Sequence, residues 1–265
     1  MKQYKGVVFF DYDGTTVDEV DRIATATPKT VESLKKLKEN GYLTMLCSGR
    51  TKRFLEADID KFEGSINCNG SYTEIAGEVI RDISIPDELL FRVIDEYFPR
   101  DTIIQLETQD ITYYLHSDEE FFAYHCELFS LPQRWFAPWK YRDKNNHIAK
   151  LVMNYKTPDV FEDFKKEFAN EFECAKHVRE NFIDITLKGI TKGDAIKEVL
   201  EKLGIAKENS YAFGDADNDV EMMKAVGTGI AMGRHSDAVG KVAKMVTGTT
   251  KEEGITTALE KLRLI

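Results

Sequence analysis

Two carboxylates follow a short apolar run near the start of the chain. Asp11 and Asp13 come directly after residues 7–10, a run that predicts a buried strand. Because side chains alternate along an extended chain, both carboxylates point the same way, and Gly14 lets the backbone turn sharply behind them. One nucleophilic carboxylate and one that exchanges a proton suit phosphoryl transfer through an aspartyl phosphate. The alternative is a strand that ends in an ordinary polar turn.

A second polar cluster, Ser48, Gly49 and Arg50, follows the predicted strand Tyr42–Cys47. Ser48 offers a hydroxyl and a nearby backbone N–H to a phosphate oxygen, and Gly49 permits close approach. Arg50 either contacts phosphate or substrate, or forms an exposed salt bridge. The sequence leaves both roles open for Arg50.

The third and fourth clusters lie in the last third of the chain. Lys192 falls in the first turn of a helix predicted over residues 191–203, where a cation is unfavourable unless an anion lies beside it. The alternative is a lysine that points to solvent. Residues 213–219 read Phe-Gly-Asp-Ala-Asp-Asn-Asp, and a glycine followed by carboxylates after a strand is typical of a magnesium-binding turn. The alternative is an acidic helix N-terminus, which is our interpretation of Asp217.

Alternating strands and helices must position these clusters. The first strand is followed by a helix that begins at Thr27-Pro28 and ends at Asn40-Gly41, and then by the second strand. The last third is predicted to contain strands at 183–187, 210–213 and 229–232 and helices at 191–203, 220–226 and 250–262. Strand, helix and strand with short connections indicate a parallel sheet.

The middle of the chain has a different pattern of elements. A helical stripe, a hairpin at 102–115, and then strand, helix and strand at 148–176 form two αββ-like units rather than a continued parallel sheet. We therefore predict an α/β fold with a doubly wound parallel sheet core (Rossmann-like) and an inserted α+β domain. Residues 1–83 and 184–265 form the core, and residues 84–183 form the insert.

Composition limits the classes of function. The net charge of −10 argues against a nucleic-acid partner, and no apolar stretch is long enough to span a membrane. The apolar run that leads into Asp11 has only four residues, too few for a secretory signal, so we expect a cytoplasmic location. The four cysteines are widely spaced, which disfavours a zinc site. An acidic protein that acts on phosphates needs local positive charge, which a divalent metal and a few cations can supply.

Taken in order, the four clusters resemble the motifs of the haloacid dehalogenase-like superfamily of phosphatases. The matching positions are Asp11-x-Asp13-Gly14-Thr15, Ser48-Gly49-Arg50, Lys192 and Gly214-Asp215-x-x-Asn218-Asp219. The insert resembles the α+β cap of the Cof-type sugar-phosphatase branch. Asn69-Gly70, just before the insert, is similar to another recurring feature of that branch and makes Asn69 a possible substrate contact.

The resemblance implies a role for each matching residue. Asp11 would attack phosphorus, and Asp13 would protonate the leaving oxygen and then activate water. Mg²⁺ would lie between Asp11, the backbone carbonyl of Asp13 and Asp215. Further residues would hold the phosphoryl oxygens (Ser48, Gly49, Lys192 and Asn218), and Asp219 would orient its neighbours.

The resemblance also has departures and leaves rival functions. Thr16 stands where the family usually has an apolar residue, and Arg234-His235 replaces a more usual Asn-Ala after Met232-Gly233, at the rim of the site. We predict a magnesium-dependent phosphomonoester hydrolase that acts on a small phosphorylated metabolite, such as a sugar phosphate. The rivals are a phosphomutase of the same superfamily and a regulator that binds phosphometabolites without turnover. The sequence does not indicate the substrate or the oligomeric state.

Overall fold

The computed structural model describes residues 3–115, 119–128, 131–140, 147–176 and 181–265. The chain divides into two compact units. The first contains residues 1–50, 54–81 and 191–265, and the second contains residues 51–53 and 82–190.

The strands and helices of the described residues follow in chain order. In chain order the strands are β1 (Gly6–Asp11), β2 (Tyr42–Cys47), β3 (Gly64–Asn67), β4 (Tyr72–Ile75), β5 (Glu78–Asp82), β6 (Thr102–Glu107), β7 (Thr112–Tyr114), β8 (Phe136–Pro138), β9 (Lys150–Tyr155), β10 (Phe172–Lys176), β11 (Phe182–Leu187), β12 (Ser210–Gly214), β13 (Thr228–Ala231) and β14 (Met245–Val246). The helices are α1 (Pro28–Glu39), α2 (Asp87–Tyr97), α3 (Glu119–Leu128), α4 (Pro158–Glu167), α5 (Lys192–Leu203), α6 (Val220–Ala225), α7 (Asp237–Val242) and α8 (Gly254–Lys261).

The first unit is built on an eight-stranded sheet with the order β14-β13-β12-β1-β2-β3-β4-β5. The six strands from β14 to β3 run parallel, and β4 is antiparallel to β3. Strand order runs outward from β1 in one direction through β2 and β3, and in the other through β12 and β13. The reversal lies between β1 and β12, and ligands of open α/β sheets bind outside the carboxyl ends of the strands at such a point.

Apolar layers cover both faces of this sheet. One layer joins alternate residues of the strands to α5 and α6, for example Val7 with Ile196 and Met222. The other joins the opposite strand residues to α1 and α8, for example Phe10 with Leu34 and Leu259. Helices on both faces of a largely parallel sheet make the core doubly wound, as predicted.

The second unit has a six-stranded sheet with the order β10-β11-β9-β6-β7-β8. The strands pair antiparallel except for β7 with β8. Helices α2 and α4 bury an aromatic-rich face against β6, β9 and β11, with Tyr97 and Phe164 among the largest buried side chains. This arrangement is the α+β architecture that the sequence predicts for the insert.

The boundaries differ from the prediction, which assigned residues 51–53, 82–83 and 184–190 to the core. Strand β11 pairs with β10 and β9 and therefore belongs to the sheet of the second unit. The chain passes to the first unit only after Ile190. The sequence could not reveal this, because a short apolar strand reads alike in a parallel and an antiparallel sheet.

Among the described residues, no helix combines the length and apolar character that crossing a bilayer requires.

Candidate active site

Asp11 is the last residue of β1, at the switch point of the first sheet. Its strand lies between β12 and β2, and its side chain is only 4% exposed. The Thr16 hydroxyl donates a hydrogen bond to the Asp11 carbonyl at 2.6 Å, which closes the loop that follows the strand. A buried threonine therefore has a structural use at the position where the family usually has an apolar residue.

Lys192 links Asp11 to Asp219 inside the protein. The Thr191 side chain caps helix α5, and Lys192 is the first helical residue. Its Nζ donates to Asp11 Oδ1 at 2.5 Å and to Asp219 Oδ1 at 2.6 Å. The ammonium group is fully buried, so the alternative of a lysine pointing to solvent is wrong.

The Asp215 loop approaches the first loop closely. Gly14 has a φ of +86°, and a Cβ at this position would lie 2.2 Å from Asp215 Oδ2, so only glycine fits. The Thr15 hydroxyl donates to Asp215 Oδ1 at 2.9 Å. Asp219 Oδ2 accepts from the backbone N–H of Asp215 at 2.9 Å and of Ala216 at 3.1 Å. Asp219 thus orients both the lysine and the Asp215 loop.

Three carboxylates share this site with one lysine. Burial and the neighbouring Asp219 raise the pKa of Asp11 well above its usual range, although Lys192 opposes the rise. Burial and Asp219 also raise the pKa of Asp215, to about 6. Burial by itself would lower the pKa of Lys192, but Asp11 and Asp219 outweigh it and raise that pKa. The lysine therefore stays charged, and the site retains excess negative charge above pH 6.

The residues present fit a divalent cation. Asp11, Asp215 and Asp219 each offer a carboxylate oxygen, and these oxygens lie within 4.8 Å of one another. Both oxygens of Asp219 already accept hydrogen bonds, so Asp11 and Asp215 are the better candidates for ligands. One or two carboxylates with water and phosphate oxygens make the usual coordination of Mg²⁺. That the Asp13 carbonyl is a further ligand stays a prediction.

Asp13 forms a bidentate ion pair with Arg50. Arg50 Nε donates to Asp13 Oδ2 at 2.9 Å, and Arg50 Nη2 donates to Asp13 Oδ1 at 2.5 Å. Both side chains are partly exposed, at 39% for Arg50 and 46% for Asp13. Of the two roles that the sequence left open for Arg50, the structure places it in the salt bridge. Its partner, however, is the candidate acid–base residue.

The remaining predicted residues lie on three loops of the first unit, which follow β2, β3 and β12. The Asn69 backbone N–H donates to the Ser48 carbonyl at 3.0 Å, and Asn218 Nδ2 donates to Asn69 Oδ1 at 3.1 Å. Gly49 lies against the Asn69 amide. Asn69 has a left-handed backbone with φ of 53°. That these residues bind phosphoryl oxygens stays a prediction.

Sequence reasoning missed the support beneath the first loop. The Tyr12 hydroxyl, between the two candidate aspartates, donates to Asp58 Oδ2 at 2.9 Å. Asp58 is buried and also accepts from the Ala26 N–H and from Lys61 Nζ. The Arg50 guanidinium carbon lies 5.4 Å from the Tyr12 ring centroid. Nothing in the sequence around Asp58 marks it as a partner of a tyrosine 46 residues away.

The chain is similar in sequence to a known protein family and to several known phosphatases. A family model described as haloacid dehalogenase-like hydrolase matches residues 8–259. Bacillus subtilis 5-amino-6-(5-phospho-D-ribitylamino)uracil phosphatase YitU is 24% identical over 277 residues, covering 96% of each chain. Escherichia coli pyridoxal phosphate phosphatase YbhA is 26% identical over 274 residues, covering 94% of this chain and 95% of its own.

A solved structure has the same fold. The subclass IIB sugar phosphatase BT4131 superposes with a TM-score of 0.77 at 23% identity, covering 98% of this chain and all of its own. At this identity the likeness concerns the fold alone. It covers the residues of both the α/β core and the α+β insert.

Proposed function

This chain belongs to the haloacid dehalogenase-like hydrolases, as its motifs predicted, and we propose that it is a magnesium-dependent phosphomonoester hydrolase with an aspartyl-phosphate intermediate. The observation that carries the proposal is the position of Asp11. It lies at the switch point of the sheet, with Lys192 on one oxygen and Asp215 and Asp219 beside it. A nucleophilic carboxylate at that point meets any phosphate that binds at the carboxyl ends of β1 and β12.

The proposed reaction has two displacements at phosphorus. In the first, an Asp11 oxygen forms a bond to phosphorus, the ester P–O bond breaks, and Asp13 gives its proton to the leaving oxygen. In the second, Asp13 takes a proton from water, the water oxygen attacks phosphorus, and the bond to Asp11 breaks to release inorganic phosphate. Asp13 ends the cycle protonated, ready for the next ester.

Arg50 bears on the first displacement. Both Asp13 oxygens accept hydrogen bonds from Arg50, so this ion pair competes with the hydrogen bond that Asp13 must donate to the leaving oxygen. An incoming phosphate ester is an alternative partner for the guanidinium. We propose that Arg50 exchanges Asp13 for the substrate during binding.

The metal would be held by Asp11 and Asp215, with the Asp13 carbonyl as the further predicted ligand. When bound, Mg²⁺ offsets the charge of the carboxylates and of the phosphoryl oxygens. Lys192 and the Asp219 network keep the Asp11 carboxylate in place. Ser48, Gly49 and Asn218 are proposed to hold the phosphoryl oxygens.

The substrate is proposed to be a small phosphorylated metabolite, and a sugar phosphate is the specific candidate. The names of YitU and YbhA refer to phosphorylated metabolites of different kinds, which supports the class rather than one compound. We propose that the second unit, predicted from sequence as residues 84–183, acts as the cap that selects the substrate. The net charge of −10 supports a protein without a nucleic-acid partner, and a cytoplasmic location stays a prediction.

The nucleophile is tested by replacing Asp11 with Asn, which keeps the shape of the side chain but removes the carboxylate. We expect phosphate release to fall by about 10³-fold or more with an unchanged fold. Asp217→Asn is the matched control, because Asp217 is an exposed carboxylate on the Asp215 loop without a role in the proposal. Near-normal phosphate release by the Asp11 variant would refute the covalent mechanism.

Product analysis separates the rival functions. The wild-type protein is given a panel of phosphorylated sugars, nucleotides and cofactors together with p-nitrophenyl phosphate. Free phosphate indicates a hydrolase, and an isomerised sugar phosphate indicates a phosphomutase. Binding without any turnover, including that of p-nitrophenyl phosphate, indicates the regulator.

A further inference from the structure

A compact turn over residues 18–23 follows the catalytic loop. Its neck is closed by two backbone hydrogen bonds, from Asp18 N–H to the Ile23 carbonyl at 2.9 Å and from Ile23 N–H to the Asp18 carbonyl at 2.8 Å. Arg22 has a left-handed backbone with φ of 57°, and Val20 at the tip is 76% exposed. Inside the turn the Arg22 N–H donates to the Glu19 carbonyl at 3.2 Å.

This turn forms most of the wall of a cavity beside Asp13. The cavity has a volume of about 360 Å³. Six of the nine lining residues lie at 17–24, and the other three are Tyr12, Asp13 and Arg50. The group attached to a phosphate that reacts at Asp11 leaves next to Asp13, so this cavity is where part of the leaving group would lie. The shape of the wall therefore depends on how firmly the turn is held.

Arg234 holds the turn from outside. It lies on the loop after β13, and its Nη2 donates to Asp18 Oδ2 and, at 2.5 Å, to Asp21 Oδ2. The other Asp18 oxygen, Oδ1, accepts from the Val20 N–H at 2.9 Å and the Asp21 N–H at 3.3 Å inside the turn. The Arg234 guanidinium thus binds Asp18, which accepts hydrogen bonds inside the turn, and also Asp21, which lies on the turn.

The same loop also supports the Asp215 side of the site. The Ser236 N–H donates to the Asp215 carbonyl at 2.7 Å. Residues 234–236 therefore join the turn to the carboxylate cluster through three hydrogen bonds.

We propose that Arg234 is a positioning residue that fixes the 18–23 turn as the wall of the leaving-group cavity. The inference rests on the proposed hydrolase function. The Asp18 side chain is 5% exposed and the Arg234 side chain 45%, so the ion pair is shielded from solvent on the Asp18 side. Without Arg234 the turn keeps its neck, its internal hydrogen bonds and the contact of Lys251 with Asp21, but it loses the guanidinium bonds to both of its carboxylates, and a substrate must then order it on binding. That cost weakens binding and spares the chemical step at Asp11.

The test compares Arg234→Ala and Arg234→Lys with a matched control, Lys251→Ala. Lys251 also reaches Asp21, at 3.5 Å, but it is 71% exposed and does not touch Asp18. Removing it takes one positive charge from the same turn without releasing the clamp. Amide hydrogen exchange of residues 18–24 and trypsin cleavage after the exposed Arg22 report on the turn without reference to activity. Steady-state kinetics with p-nitrophenyl phosphate and glucose 6-phosphate report on the cavity.

In Arg234→Ala we expect faster amide exchange and faster trypsin cleavage in the turn. The KM for glucose 6-phosphate, whose leaving group is the larger and more polar of the two, should rise about tenfold, while kcat should change less than about threefold. Arg234→Lys, which keeps the charge and can still reach one carboxylate, should recover part of both effects. If Arg234→Ala fails to fold, the same measurements are made on Arg234→Lys. Lys251→Ala should match the wild type.

Three results would overturn the proposal: unchanged exchange in both Arg234 variants, a KM equal to that of the wild type, or the same changes in Lys251→Ala. A wild-type protein that releases no phosphate from any ester fails the proposed function instead. The exchange and cleavage data would then still show whether Arg234 holds the turn.

Discussion

Protons and magnesium should compete for Asp215. Its pKa is raised to about 6 by burial and by the neighbouring Asp219. A metal ion binds the ionised carboxylate, so a proton on Asp215 must leave before the ion can bind. The affinity of the protein for Mg²⁺ should therefore rise with pH through the range where this carboxyl titrates.

The size of the effect follows from this pKa. At pH 5, one unit below the pKa of about 6, roughly one-tenth of Asp215 is ionised, and at pH 7.5 nearly all of it is. The apparent dissociation constant for Mg²⁺ should thus be about tenfold higher at pH 5 than at pH 7.5, a difference of about 1.4 kcal/mol. Asp11, whose pKa is also raised, can only increase the ratio.

The same shift affects stability in the absence of metal. A carboxyl whose pKa is higher in the folded than in the unfolded protein contributes stability at low pH and loses it as the pH rises. For Asp215 the loss falls between about pH 4 and pH 6, and it amounts to about 1–2 kcal/mol once partial exposure is allowed for. Mg²⁺ should restore this stability above pH 6.

Isothermal titration calorimetry with Mg²⁺ at pH 5 and pH 7.5 measures the ratio, and chemical unfolding of the metal-free protein measures the stability. Asp215→Asn should show little Mg²⁺ binding at either pH and should lose the stability change between pH 4 and pH 6. Asp217→Asn should behave like the wild type. Equal dissociation constants at the two pH values in the wild type would refute the link between the crowded carboxylates and the metal.

Two further substitutions test the packing of the site. Lys192→Met should lower the free energy of unfolding by about 3–5 kcal/mol in urea titrations, because it leaves two buried carboxylates without their cation. A loss below about 1 kcal/mol would contradict the importance of that ion pair. Gly14→Ala should displace Asp215 and abolish Mg²⁺ binding, since its Cβ would overlap Asp215 Oδ2. The control is Gly204→Ala, because Gly204 also has a positive φ but has open space around it. This substitution should cost about 1 kcal/mol of stability and leave Mg²⁺ binding unchanged. Equal Mg²⁺ affinities in the two alanine variants would contradict the steric argument.

The sequence predicted where the site lies because the relevant residues follow parallel strands. Asp11 ends β1 and Asp215 follows β12, and neighbouring parallel strands bring their carboxyl ends to one edge. Lys192 was predictable from the energetics of a helix start, since a buried cation there requires anions. Motif order alone thus located the residues that form the carboxylate cluster.

The sequence could not predict interactions that depend on long loops. The Asp13–Arg50 pair and the Tyr12–Asp58 hydrogen bond join positions whose separation along the chain carries no periodic signal. The short strands β3 to β5 escaped prediction because left-handed residues at Cys68 and Asn69 interrupt their pattern. Helix α8 begins at Gly254 rather than at the predicted residue 250, since a hydrogen-bonded turn precedes it, with Glu253 at φ of 57°.

Residues 51–53 have a consequence for how the protein is made and recombined. They follow the Ser48–Arg50 loop directly, yet they belong to the second unit, where the N–H groups of Lys52 and Arg53 donate to Gln109 and the Arg53 side chain donates to Thr112. During synthesis these hydrogen bonds to Gln109 and Thr112 cannot form until residues 109–112 have left the ribosome, so the loop after β2 completes its structure late. A chimaera that exchanges the second unit must therefore exchange residues 51–53 with it.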